Sequence, residues 1–106
     1  MSSKLLKRPL VLALLLTCGI SVPALAGDSQ AGGVLFQEKC AVCHGPDGHA
    51  KLPGAPSFAN GERMEKPDDL LKQTVQNGKN AMPPFKTMLS EAQIGDLLAF
   101  VRTLKK

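Results

Sequence analysis

The stretch Cys40-Ala41-Val42-Cys43-His44 decides how this chain is read. Two cysteines separated by two residues and followed at once by histidine form the attachment signature of a c-type haem. The chemistry explains the spacing. Two thiols add across the two vinyl groups of one haem and form thioether bonds. Cysteines three apart on a helical turn lie on one face and reach the same porphyrin edge. His44 is then held close beneath the iron, for which an imidazole nitrogen is a good ligand. The expected cofactor is one haem c, covalently attached through Cys40 and Cys43, with its iron bound by His44.

Two other readings of the cysteine pair fit less well. A redox disulfide of this spacing usually lies between a strand and a helix, and no segment here alternates like a sheet. A zinc ion needs four ligands. The fourth candidate, His49, would have to join the adjacent residues Cys43 and His44 around one ion, which is cramped.

On the N-terminal side, Lys4, Lys7 and Arg8 precede an apolar run from Leu10 to Ile20. Pro23 breaks that run, and Ala24-Leu25-Ala26 forms an A-x-A cleavage site. This is the pattern of a secretory signal peptide. Residues 1–26 are expected to be removed, leaving 27–106 as one small domain exported to the periplasm. The run is short for a membrane span, so no stable membrane insertion is expected after cleavage. An uncleaved anchor is the runner-up. A lipid on Cys18 is disfavoured by Thr17, because a smaller residue usually precedes a lipidated cysteine.

The full chain has 13 Lys and Arg against 9 Asp and Glu, a net charge of +4. Three of the basic residues, and no acidic one, lie within 1–26. The mature chain is therefore near +1, and two ionised haem propionates bring it to about −1. With mixed charge and no basic aromatic patch, nucleic-acid binding has no support. The chain has no Trp, no Tyr and only four Phe, a thin core for a small domain without a structural disulfide. A covalently held, mostly apolar cofactor would complete that core.

The mature chain reads as about three helices joined by long loops, an all-α fold. Asp28 or Ser29 can cap a first helix running to about Val42. Ala31, Val34, Leu35 and Val42 suggest its period, and Gly32 and Phe36, four apart, can face a partner helix. From Gly45 to Lys66, seven Pro and Gly residues mark a loop, long enough to need something to wrap. Pro67-Asp68-Asp69 starts a second helix, with proline at its first position. Leu70, Leu71, Thr74 and Val75 form its stripe, and Gly78 ends it as a left-handed cap. Ser90-Glu91-Ala92-Gln93 is a capping box for a last helix reaching about Leu104, with Ile94, Leu97, Leu98, Val101 and Leu104 as its buried stripe.

A low-spin electron-transfer haem needs a sixth ligand opposite the histidine. Met82 stands in Met82-Pro83-Pro84-Phe85, a loop stiffened by two prolines that have no N–H to leave unpaired beside an apolar face. It lies 38 residues beyond His44, enough chain to reach the far face of the ring. His49 is too near His44 and is expected to be solvated. Met64 and Met88 are expected to pack as core or gap-fillers.

Residues 31–104 resemble a small monohaem class I c-type cytochrome of the secreted bacterial type. The resemblance rests on the order Gly32 and Phe36, Cys40 to His44, a proline-bearing loop, a helix ending at Gly78, Met82-Pro83, and a last helix with Phe100. It implies a cytochrome c-like fold around one haem, with His44 and Met82 as iron ligands. It further implies that Gly32 and Phe36 pack against Phe100, and that the Pro56 carbonyl accepts the Nδ1–H of His44, a bond that orients the ring.

The function expected is that of a one-electron carrier, not an enzyme. It would be monomeric and would shuttle electrons between periplasmic or membrane-bound redox proteins. Iron with both axial positions filled has no open site for substrate. Lys79 and Lys86 flank the Met82 loop and can guide an acidic partner. The alternatives are a haem enzyme or gas-binding protein with a displaceable sixth ligand, or a dedicated electron-transfer subunit of one oxidoreductase.

Overall fold

Asp28 opens the first helix. Its carboxylate accepts from the backbone N–H groups of Gln30 and Ala31, donors that a helix start leaves without partners. In the computed structural model, which describes residues 27–106, α1 runs Ser29–Lys39 and α2 runs Ala41–His44. A 3₁₀ turn, Phe58–Asn60, interrupts the long loop; α3 is Asp68–Asn77 and α4 is Glu91–Arg102. The described residues are helix and loop without a strand, and one antiparallel bridge joins Lys79 to Met82. The all-α expectation holds, with four helices instead of three. The signal peptide, its cleavage site and Cys18 lie outside the described residues.

The first helix ends sooner than its pattern suggests. Cys40 stays in the right-handed region but opens to φ −119° and ψ −30°, and it caps α1 and starts α2. Its N–H closes α1 on the Phe36 carbonyl, and its own carbonyl accepts from Cys43 and His44. The apolar spacing misled because it marks the wrong stripe: Val34 and Val42 are 61% and 77% exposed. The buried positions of α1 are Gly32 and Phe36.

Those two residues form the contact with α4. A Cβ on Gly32 would collide with the Asp96 carbonyl, and one on Gly33 would come within 3.0 Å of the Phe100 ring. The helices therefore meet backbone to backbone. Next to this contact the Phe36 and Phe100 rings lie 5.2 Å apart, tilted by 47°, a favourable aromatic geometry. The Asp96 carboxylate also accepts the Asp28 N–H at 2.8 Å. Phe36, Phe85, Leu89, Ile94, Leu97, Val101 and Leu104 join in one buried cluster with Ala41. Each of its large members is worth about 1.5–3 kcal/mol of hydrophobic burial.

The Ser90 capping box is present in both directions: Ser90 Oγ accepts from Gln93 N, and Gln93 Oε1 accepts from Ser90 N. α3 differs in detail from expectation. Pro67 sits outside it as the cap, at ψ 157°. Of the proposed stripe only Leu71 is fully buried, and Leu70 is 46% exposed. Gly78 has φ 76° but ψ 172°, so it turns into extended chain without forming a left-handed helical cap.

Candidate functional site

The helices and loops enclose one apolar cavity of about 310 Å³. The α1–α2 junction supplies Cys40, Cys43 and His44 to its wall; the long loop supplies Pro56, Phe58 and Met64. Met82, Pro83 and Phe85 come from the loop after α3, and Leu97, Leu98 and Val101 from α4. All five residues singled out from the sequence (Cys40, Cys43, His44, Pro56 and Met82) share this one wall.

His44 is only 8% exposed. Its Nδ1 lies 3.4 Å from the Pro56 carbonyl oxygen, longer than an optimal bond. In the tautomer with the proton on Nδ1, the imidazole donates to that carbonyl and leaves the Nε2 lone pair for a metal. The Phe58 ring stacks on the imidazole at 4.7 Å and 19°, which fixes the plane of the ring. Burial lowers the His44 pKa, against the opposing pull of the Pro56 carbonyl. The neutral ring is the form that ligates iron. Cys40 and Cys43 are both free and half-buried. Burial pushes the Cys40 thiol up to about 11, Lys39 pulling it back and Cys43 adding to the rise.

The Met82 loop is rigid for reasons written in its backbone. Lys79 and Met82 exchange N–H···O bonds of 3.0 and 2.9 Å, with Asn80 at φ 54° in the turn. Phe85 N and Lys86 N donate to Val75 and Gln76 of α3. A Cβ on Gly78 would come within 2.9 Å of the Pro83 and Pro84 backbone, so glycine there lets the loop fold back against the helix end.

The other candidate ligands separate. Met64 is half-buried and lines the cavity. Met88, expected in the core, is 54% exposed and absent from the wall. It lies within the turn that buries Phe85 and Leu89, and those two positions take the inward places. His49 is exposed. Among the described residues no group of three or more His, Cys, Asp or Glu side chains is placed to hold a metal ion, which counts against the zinc reading.

Two residues of the site region escaped the sequence reading. Phe58 stands two residues beyond Pro56, and in a chain with four aromatics that proximity was a usable signal. Arg102 closes α4, where a basic side chain suits the helix C-terminus without any further partner. It instead donates to the Met64 and Lys66 carbonyls at 2.7 and 2.6 Å and pairs with Asp68 at 2.7 Å. No local pattern announces a bond across 38 residues.

The donor set fits a covalently tethered haem: paired thiols, a neutral imidazole and thioether sulfur on a mostly apolar wall with cations among its lining residues. Comparison with known proteins agrees. The family described as cytochrome c oxidase, cbb3-type, subunit III matches residues 27–101. Cytochrome c6 of a Synechococcus species is 40% identical over 90 residues, covering 81% of this chain and 79% of its own. Cytochrome c6 of a Nostoc species is 37% identical over 97 residues, covering 82% and 80%. The solved structure of cytochrome c6 from the diatom Phaeodactylum tricornutum superposes with a TM-score of 0.62 at 29% identity, covering 73% of this chain and 93% of that one.

Proposed function

The chain belongs to the c-type cytochrome family as a small monohaem class I member that carries electrons on a covalent haem c, and from that premise we propose a role for each residue of its site. Cys40 and Cys43 form the two thioether bonds. His44 and Met82 would hold the iron. The Pro56 carbonyl and the Phe58 ring orient His44. The observation that carries this reading is the single apolar wall that brings the two thiols, the imidazole and the Met82 thioether together.

When bound, haem supplies a one-electron ferric–ferrous couple, and imidazole with thioether favours a raised potential. The chain's own part is to hold and to exclude. The thioethers prevent dissociation. The Pro56 carbonyl keeps the proton on Nδ1, so Nε2 is free for the metal. The turn from Lys79 to Met82 holds the methionine with little backbone freedom, so the ligand set changes little between oxidation states. The cavity lining from α4 excludes water.

With His44 and Met82 both engaged, the protein would exchange electrons without binding a substrate at iron. It acts in the periplasm as residues 27–106, after cleavage behind Ala26, as a monomer that meets separate redox partners. No helix among the described residues is long and apolar enough to cross a membrane. Intact mass of protein purified from the periplasm should equal residues 27–106 plus one haem, and the reduced protein should not bind carbon monoxide. Ready binding of carbon monoxide would favour a gas-binding or catalytic role with a displaceable ligand. A mass that retains Met1, or a lipid on Cys18, would overturn the export reading.

A further inference from the structure

Four cations, Lys39, Arg63, Lys66 and Lys79, line the apolar cavity, and no carboxylate does. The ion pair found among the described residues, Arg102–Asp68, uses none of them. A haem brings two carboxylates to such a cavity, and burying them unpaired is costly. Vinyl and propionate groups lie on different halves of the porphyrin. Lys39 adjoins Cys40 and so belongs to the thioether half. Lys79 belongs to the Met82 loop, its backbone bonded to Met82; like Arg63 it is exposed at the cavity edge, but it stands apart from the turn that carries Arg63 and Lys66.

Arg63 and Lys66 remain, on one turn. Lys66 N donates to the Arg63 carbonyl at 3.1 Å, and Arg63 sits at φ 69°, a conformation uncommon for a residue other than glycine. Arg102 takes the Met64 and Lys66 carbonyls from behind, so α4 sets the turn's shape. Lys66 is half-buried on the cavity wall, which a charged ammonium tolerates when an anion meets it.

We propose that Arg63 and Lys66 bind the two haem propionates, on the turn whose Met64 and Lys66 carbonyls Arg102 holds. This rests on the covalent-haem reading above. Arg63 supplies a planar fork matched to a carboxylate, and Lys66 supplies a compact charge. Together they keep both propionates ionised, and their positive charge disfavours the ferric state.

The test is voltammetry across pH on haem-loaded protein, with the infrared carboxyl band followed through the same titration. Arg63→Gln and Lys66→Gln should each raise the propionate-linked pH step by about one unit and lower the potential at pH 7. Arg63→Lys and Lys66→Arg should restore most of both. Lys39→Gln and Lys79→Gln remove the same charge from the same cavity and should leave the step in place. If Arg63→Gln fails to accumulate, Lys66→Gln decides alone. An unmoved step in Lys66→Gln, or an equal shift in the Lys39 or Lys79 variant, would overturn the assignment. A wild-type mass without haem would instead overturn the haem reading itself.

Discussion

Gly32 lies against the carbonyl of Asp96 so closely that a Cβ on residue 32 would overlap it. Backbone on both sides leaves nothing flexible to yield. Gly32→Ala should therefore force α1 and α4 apart and cost about 1–3 kcal/mol or more, read as a lowered denaturant midpoint. Gly95, inside α4, has open space around its Cβ position. Gly95→Ala should stabilise by roughly 0.5–1 kcal/mol, because glycine is the costlier residue in a helix. Equal effects of the two substitutions would mean that the helix contact is not as close as described.

Arg102 holds two carbonyls and one carboxylate. Arg102→Gln should cost about 2–3 kcal/mol, the scale of hydrogen bonds to a charged group. Asp68 is 59% exposed, so Asp68→Asn should cost less than about 1 kcal/mol. Unfolding curves of the two variants compare these directly. A larger loss in Asp68→Asn would show that the ion pair outweighs the carbonyl bonds.

Burial holds the His44 pKa below its ordinary 6.5, and iron on Nε2 would keep the ring unprotonated in the folded haem-loaded protein as well. On acidification the unfolded chain takes that proton first, which favours unfolding. The contribution of His44 to stability should be fully present above 6.5 and decline as pH falls below it. The Asp47 carboxylate, depressed chiefly by the His49 N–H, acts in the same direction at lower pH. Denaturant midpoints at a series of pH values check this; a stability that rises between pH 6.5 and 5 would contradict it.

Residues 27–106 carry a net charge near +1, which two haem propionates would bring close to neutral, while Lys79 and Lys86 are exposed beside the Met82 loop. Electron transfer to its native partner should fall only modestly as salt increases. A fall of several orders of magnitude between low and physiological ionic strength would reveal a strong charge patch.

What was legible in the sequence was local chemistry. Cys40 to His44 and the Ser90–Gln93 box are carried by spacing and side-chain type, and the Gly32–Phe36–Phe100 contact by the family resemblance. The break at Cys40 was not legible, since it depends on α1 burying its glycine face in place of its valine stripe. Met88 was misplaced because methionine packs inward or outward according to the turn that carries it. Arg102 and the cations of the cavity wall were hidden for a different reason. Their partners lie far along the chain or on the cofactor, and only folding brings them together.

The central claim is that Met82 ligates the iron opposite His44, and two thioethers on one wall make it testable. Met64 and Met82 both line the cavity, so each is replaced in turn by alanine. Ferric spectra and reduction potentials of the haem-loaded variants are then compared with wild type. Met82→Ala should abolish the weak thioether charge-transfer band at the red end of the spectrum, lower the potential and open the iron to carbon monoxide. Met64→Ala should retain the band and nearly the same potential. If the band survives in Met82→Ala and disappears in Met64→Ala, the ligand assignment is wrong.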